Sequence, residues 1–376
     1  MAEEGGSPAH EGFKRRDLVL SLADRVEAAA AGLGELRLMH VCGTHERSIN
    51  RFGIRGLLPP SVRVIAGPGC PVCVCPVSDI LAARELAKRP GVVLASFGDM
   101  LSVPTPEGSL QDARSEGAEL RIVYSAADAL ALARQLPDRE IVFFSVGFET
   151  TFAATAAILA SLEARPQPNF SLLVSNRVVP EALEVLLARP GLSIDGFILP
   201  GHVSVIIGSG AYLPIVRDHN IPCAVVGFES VDVLAGILAL LEQIKTGKSE
   251  VANPYSRAVT SEGNVKAKAL IARVFEPCDA LWRGMGVLPG TGLALRPEFA
   301  RYDALAKFGI EARTMAQAEE GAAPSGCLCP LVMTGQAEPE DCPNFGLSCR
   351  PESPVGPCMV SDEGSCKIRL EFGGAA

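Results

Sequence analysis

Ile141-Val142-Phe143-Phe144-Ser145-Val146-Gly147-Phe148-Glu149-Thr150-Thr151 is an apolar run that stops at a glycine loop and gives way to a helical pattern over Thr155–Ala164. A run this short and apolar on both faces reads as a strand of a parallel sheet, covered on each side by helices. The string Cys223-Ala224-Val225-Val226-Gly227-Phe228-Glu229-Ser230 echoes Phe143–Thr150 around a shared Val-Gly-Phe-Glu. Six more strand-like runs lie at Leu36–Val41, Val62–Ala66, Val92–Ser96, Leu120–Tyr124, Phe170–Val174 and Gly196–Leu199. Helical patterns fall between them at Asp79–Lys88, Ala126–Gln135 and Pro180–Ala188. This alternation predicts α/β architecture, with parallel sheets wound by right-handed crossovers. The runs form two sets of four at an offset of about one hundred residues. We therefore expect two Rossmann-like halves, 12–125 and 126–250, followed by a third region, 251–376. One large sheet without duplication is the other reading of the same pattern.

Composition agrees with layered α/β structure. The chain has 376 residues, long for a single core, with 48% hydrophobic and only 5% aromatic residues. A net charge of -9 argues against nucleic acid as a partner. The best apolar stretch, Val231–Leu241, is short for a bilayer and contains Asp232. Lys14-Arg15-Arg16 resembles an export signal, but Asp17, Asp24, Arg25 and Glu27 remove any apolar region behind it. The expectation is a cytoplasmic protein without membrane contact.

Near the C-terminus Cys327, Cys342, Cys349 and Cys366 are spaced C-x14-C-x6-C-x16-C in a stretch thick with Gly and Pro. Loop-borne thiolates of this kind hold iron–sulfur clusters, and a cluster gives such a segment a reason to fold. Cys329 can stand in for Cys327, and Cys358 reads as the spare. A disulfide framework competes, but disulfides are rare in the cytosol.

In parallel sheets chemistry sits at the carboxyl ends of the strands. There the chain places Cys42-Gly43-Thr44-His45-Glu46, Gly67-Pro68-Gly69-Cys70-Pro71-Val72-Cys73-Val74-Cys75-Pro76, Gly147–Thr151 and Pro200-Gly201-His202-Val203-Ser204. Closure of the two halves would turn all four loops to one crevice. A helix N-terminus lowers a thiol's pKa, so Cys42, Cys70 and Cys73 are expected to carry thiolate character in exposed loops. Cys70 and Cys73 have C-x-x-C spacing, which suits a dithiol/disulfide couple or two metal ligands. No second pair lies near to complete a zinc site. His45, three residues after Cys42 and expected on the same helical face, could ligate a metal, donate a proton or bond the thiolate. Glu149 and His202 are further candidates because glycines flank them, whereas Cys223 and Cys278 read as ordinary packing residues. Gly247-Lys248-Ser249 lacks the preceding strand and glycine of a phosphate-binding loop, and Gly208-Ser209-Gly210 lacks the third glycine of a dinucleotide fingerprint.

The strings His40–Glu46 (HVCGTHE), Gly67–Pro76 (GPGCPVCVCP), Val146–Thr151 (VGFETT), Pro200–Gly208 (PGHVSVIIG) and Cys358–Cys366 (CMVSDEGSC) resemble the signature motifs of the HypD family, maturation factors for [NiFe]-hydrogenases. They occur in the family's order from about Leu36 to Lys367. The resemblance implies two α/β domains and a C-terminal irregular or helical [4Fe-4S] domain. It implies that Cys42 holds a nascent iron, with His45 beside it, and that Cys70 and Cys73 are a redox dithiol. It further implies a HypC-type chaperone, a HypE-type cyanide donor and, indirectly, the hydrogenase large subunit as partners. The product would be iron carrying two cyanides and one carbon monoxide. Glu46-Arg47 departs from the family pattern, which has a second His just after Thr44-His45, and Cys75 stands where the family has no cysteine. The alternative is a cluster-linked thiol/disulfide oxidoreductase, which has no need of a third activated thiol at Cys42.

Overall fold

Each of the eight apolar runs forms a strand in a computed structural model that describes residues 16–189, 192–311 and 326–373. They are β1 (Leu36–His40), β2 (Val62–Ala66), β3 (Val92–Ser96), β4 (Leu120–Ile122), β5 (Glu140–Gly147), β6 (Phe170–Asn176), β7 (Gly196–Pro200) and β8 (Cys223–Val226). Three further strands follow: β9 (Val251–Ala252), β10 (Phe275–Trp282) and β11 (Gly286–Leu295). One sheet has the order β2-β1-β7-β8-β9 and another β4-β3-β5-β6, and every pairing in both is parallel. β10 and β11 form an antiparallel hairpin. The two echoed strings are β5 and β8, each followed by a helix, Glu149–Ser161 and Ser230–Thr246, but they belong to different sheets.

The division into 12–125, 126–250 and 251–376 does not match this strand order. The described parts of Met1–Gly69, Arg189–Gly263 and Ile368–Ala376 form one compact unit, and those of Cys70–Ala188 and Asn264–Lys367 form the other. The chain leaves the first sheet after β2, builds the second from β3 to β6, and returns for β7. The reason is physical: an apolar run announces burial on both faces but not which neighbour completes its ladder. Each unit has its own core. The first packs helices Arg16–Ala30 and Ser230–Thr246 on one face of its sheet through Val26, Leu38, Ile198, Val226, Leu234 and Ile237. The second gathers Val93, Ile141, Phe143, Phe152, Phe170 and Phe275. Among the described residues no helix is long and apolar enough to cross a membrane. Gly247, the decoy glycine, simply ends the helix Ser230–Thr246.

A buried ionic network holds the helix Gly43–Arg51 in the first unit. Glu46, 1% exposed, accepts hydrogen bonds from Arg55 at 2.8 Å and Asn50 at 2.9 Å, and His40 Nε2 lies 2.7 Å from it. Burial disfavours the carboxylate, but Arg55 and His40 outweigh it and hold the carboxyl well below the ordinary glutamate range. A depressed folded pKa stabilises the fold above the unfolded value, about pH 4.3, and that contribution is lost as pH falls below it. Glu46→Gln leaves Arg55 and His40 facing a neutral group. We expect it to cost about 3 kcal/mol in urea denaturation followed by circular dichroism at pH 7; an unchanged midpoint would show that the network does not hold the helix.

Candidate functional site

β1 ends at His40, and two residues later Cys42 caps the helix Gly43–Arg51. Its backbone is extended, with φ −157 and ψ 127, and it is only 2% exposed. The adjacent strand β7 runs straight into the helix Gly201–Ile207, which carries His202 at its second position. His202 Nδ1 lies 3.8 Å from Cys42 Sγ. Burial lowers the His202 pKa to about 4, so at neutral pH the ring is uncharged and can share a hydrogen bond with the sulfur. On the β2 side the loop Gly67–Gly69 closes on the thiol's backbone. Gly69 O accepts from Gly43 N at 3.1 Å, and a Cβ on Gly69 would stand 2.1 Å from Cys42 N. Only glycine permits that approach.

His45 is oriented differently from the expectation. It is fully buried, and its Nε2 lies 3.2 Å and 3.0 Å from the carbonyl oxygens of Val226 and Gly227. Two carbonyl acceptors require a donor, so Nε2 carries the proton. Burial, with His40 and His202 nearby, lowers its pKa to about 3. The histidine nitrogen directed at the thiol is that of His202. Helical spacing misleads here because Cys42, as the cap, lacks helical backbone. Phe228, from the echoed Gly-Phe-Glu string, lies against both rings, 4.9 Å from His45 and 5.4 Å from His202 by centroid. Sequence reasoning missed it, although the echo marked its position.

In the second unit Cys70 caps the one-turn helix Pro71–Val74, its Sγ accepting from Cys73 N at 3.2 Å. The dithiol is not in an exposed loop: Cys70 is 6% and Cys73 1% exposed. Burial pushes the Cys73 thiol well up, against the expected thiolate character, because one helical turn offers little dipole against full desolvation. Cys75 is buried too, 3.4 Å from Ser175, whose hydroxyl donates to Asp79 at 2.6 Å, and burial raises it to about 12.

The dithiol does not stand alone. The Cys73 thiol neighbours that of Cys358, Cys358 neighbours Cys329 and Cys366, Cys366 neighbours Cys329, and Cys329 neighbours Cys327, close enough to influence one another's protons. Cys358, read from the sequence as the spare, is fully buried and is the sulfur that meets the dithiol. The only hint of this in the sequence is its place at the head of the string Cys358–Cys366. Cys349 Sγ accepts from Val355 N at 3.3 Å, and Cys342 Sγ donates to Gly326 O at 3.8 Å. A Cβ on Gly356 would lie 2.7 Å from Cys329 Sγ and 2.8 Å from Cys327 Sγ, so the sulfurs occupy a cradle that any side chain would fill. Among the described residues every cysteine is free of disulfides, and no three His, Cys, Asp or Glu side chains group as a single-ion shell.

Glu149 opens its helix in the same unit and is 1% exposed. Its Oε1 accepts from Val179 N at 2.8 Å, while Oε2 is buried without a partner among the described residues. Burial raises its pKa to about 8, so the group is mostly protonated at neutral pH and can exchange a proton there. Cys223 is buried in β8 and Cys278 is half-buried in β10, as packing residues should be.

A family described as "Hydrogenase formation hypA family", under the name HypD, matches residues 17–373. The chain is 45% identical to hydrogenase maturation factor HypD of Azotobacter vinelandii, over 94% of this chain and 93% of that protein. It is 42% identical to a putative hydrogenase expression/formation protein of Methanocaldococcus jannaschii, covering 95% and 98% of the two chains. The HypD of Cupriavidus necator is 40% identical, with 96% of each chain covered. With the glycine-closed Cys42 loop, the buried C-x-x-C pair and the C-terminal cysteine nest all within the matched span, the chain belongs to the HypD family of hydrogenase maturation factors.

Proposed function

We propose that this chain holds one iron as cargo on Cys42 while cyanide and carbon monoxide are attached, before the iron passes to a hydrogenase large subunit. A HypC-type chaperone would complete the grip on the iron, and a HypE-type protein would supply cyanide. The observation that carries this reading is the buried Cys42 thiol with a neutral imidazole nitrogen 3.8 Å from its sulfur. Iron destined for cyanide and carbon monoxide is low-spin Fe(II), for which a soft, electron-rich thiolate is a suitable anchor. To bind, the sulfur must lose its proton to solvent, and a neutral His202 carrying its proton on Nδ1 would donate a hydrogen bond to the thiolate. One protein thiolate leaves the remaining coordination positions open for the diatomic ligands and for a partner's donor.

Freeing cyanide from a thiocyanate requires electrons. The C-terminal residues fit a [4Fe-4S] cluster in their chemistry: the Cys329 and Cys327 sulfurs lie over Gly356, every cysteine here is free of disulfides, and Cys349 accepts a backbone N–H at its sulfur. Each iron of such a cluster takes its own thiolate, so the absence of a single-ion shell is no objection. Cys327, Cys342, Cys349 and Cys366 would hold it, with Cys329 the substitute for Cys327, and it would supply single electrons. Cys70 and Cys73 would collect two. Cys358 neighbours both Cys73 and Cys366, which supports this relay. Glu149, near neutral in its proton affinity, would serve proton balance. A plain thiol/disulfide oxidoreductase would use the same sulfurs but would have no role for the Cys42–His202 pair.

Cys42→Ser, purified anaerobically with the chaperone partner, should fold and keep its visible cluster absorption yet lose the infrared bands of iron-bound cyanide and carbon monoxide. His202→Ala should weaken those bands without abolishing them. Full-strength bands in Cys42→Ser would place the iron elsewhere. Separately, Cys342→Ala and Cys349→Ala should each remove the visible absorption and iron content of the cluster, and unaltered iron in both variants would rule out this ligand set.

A further inference from the structure

Among the described residues three arginines are almost fully buried, Arg84, Arg177 and Arg283, and two of them face carboxylates. Arg84 pairs with Glu116, and Arg177 with Asp79 at 3.1 Å. Arg283, 4% exposed in the turn between β10 and β11, has no carboxylate partner among the described residues. Its backbone N–H donates to Val74 O at 2.9 Å and its Nε to Cys75 O at 2.9 Å, while Nη2 is buried with no acceptor. The ionisable groups that act on its guanidinium include thiols: Cys75 and Cys73 on the dithiol segment, and Cys327, Cys329 and Cys358 on the C-terminal segment. The next residue, Gly284, has φ +73, and a Cβ there would lie 2.7 Å from Pro330 Cβ. The turn is therefore wedged between the two cysteine-bearing segments.

A buried cation without an anion is strongly disfavoured, so thiolate sulfur in this nest must supply the negative charge: cluster-holding cysteines would do so in every state, and the dithiol segment only in some. The dithiol can do so when it is reduced. We propose that Arg283 is a positioning residue whose guanidinium is the countercharge for the reduced Cys70–Cys73 couple. On reduction the S–S bond breaks, two electrons enter, one sulfur takes a proton and the other stays a thiolate beside the guanidinium. Burial opposes that thiolate at Cys73, and Asp79, which faces Cys75, opposes negative charge on this segment as well. Arg283 acts in the opposite sense, and so does Arg177 where it faces Cys75. The proposal rests on Cys70 and Cys73 being a redox couple, and the experiment separates the two claims.

The full-length chain is equilibrated anaerobically with reduced and oxidised dithiothreitol from about pH 6 to 8, and the Cys70–Cys73 state is read by alkylation and peptide mapping. Dithiothreitol closes to its cyclic disulfide and gives up two electrons and two protons. If one thiolate persists, one of those protons reaches the buffer, and the equilibrium shifts about tenfold toward reduced protein per pH unit, equivalent to about 30 mV. In Arg283→Gln both sulfurs should be protonated. The equilibrium should then be independent of pH and about tenfold less favourable to reduction at pH 7, while Arg283→Lys should keep the wild-type slope. A wild-type equilibrium that does not vary with pH overturns the countercharge, and that measurement needs no variant. A folded Arg283→Gln with the wild-type slope and midpoint overturns it as well. If no Cys70–Cys73 disulfide forms at any ratio, the redox couple itself falls, and the countercharge with it.

Discussion

The pairing of β1 with β7 is the constraint from which the first unit follows. Leu38, Met39 and His40 lie opposite Gly196, Phe197 and Ile198, two strands separated by more of the chain than either sheet contains. Arg37 N donates to Asp195 at 2.7 Å and Val41 N to Ile198 O at 3.3 Å, so the ladder is tied at both ends. Gly196 adds no side chain where Leu38 and Leu240 already fill the space. Because the pairing is parallel, both strands release their chains at the same edge, and the Cys42 and His202 loops emerge side by side. β2, on the other flank of β1, delivers Gly67–Gly69 to the same edge.

Loss of water acts on three groups, the fully buried Glu46 and Glu149 and the partly buried His202, and neighbours decide the state of each. Glu46 stays ionised because Arg55 and His40 face it. Glu149 holds its proton because only backbone N–H groups and a second carboxylate, Glu181, lie near. His202 stays neutral because nothing anionic compensates its loss of water. The functional loops thus contain one fixed charge that builds the helix after Cys42, and neutral groups where protons would have to move.

Much of this was legible beforehand. Every one of the eight apolar runs is a strand, and Val62–Ala66, Val92–Ser96 and Cys223–Val226 are correct to the residue, because a strand buried on both faces is apolar throughout. The hairpin β10–β11 was not, since Pro277, Asp279, Gly290 and Gly292 interrupt its pattern and the ladder shifts register between Cys278 and Ala280. Partner choice was equally hidden, as the failed division at residue 126 shows. At the site, chain proximity pointed to His45 and buried contact to His202; the extended backbone of a cap residue separates the two answers. Cys358 was passed over because spacing can count thiols but cannot say which ones touch.

The interleaved strand order also sets a timetable for synthesis. The four strands of the second sheet are all present once Asn176 has left the ribosome, whereas the sheet begun by β1 and β2 must wait for β7, β8 and β9, the last ending at Ala252. β1 and β2 can pair with each other early, but the other edge of β1 stays bare from Ala66 until β7 begins at Gly196. Closing so long a loop is slow, although its entropic cost grows only logarithmically with length. An N-terminal fragment ending anywhere before β7 would expose the bare edge of β1, so the Cys42 loop cannot be excised as a folding module of its own.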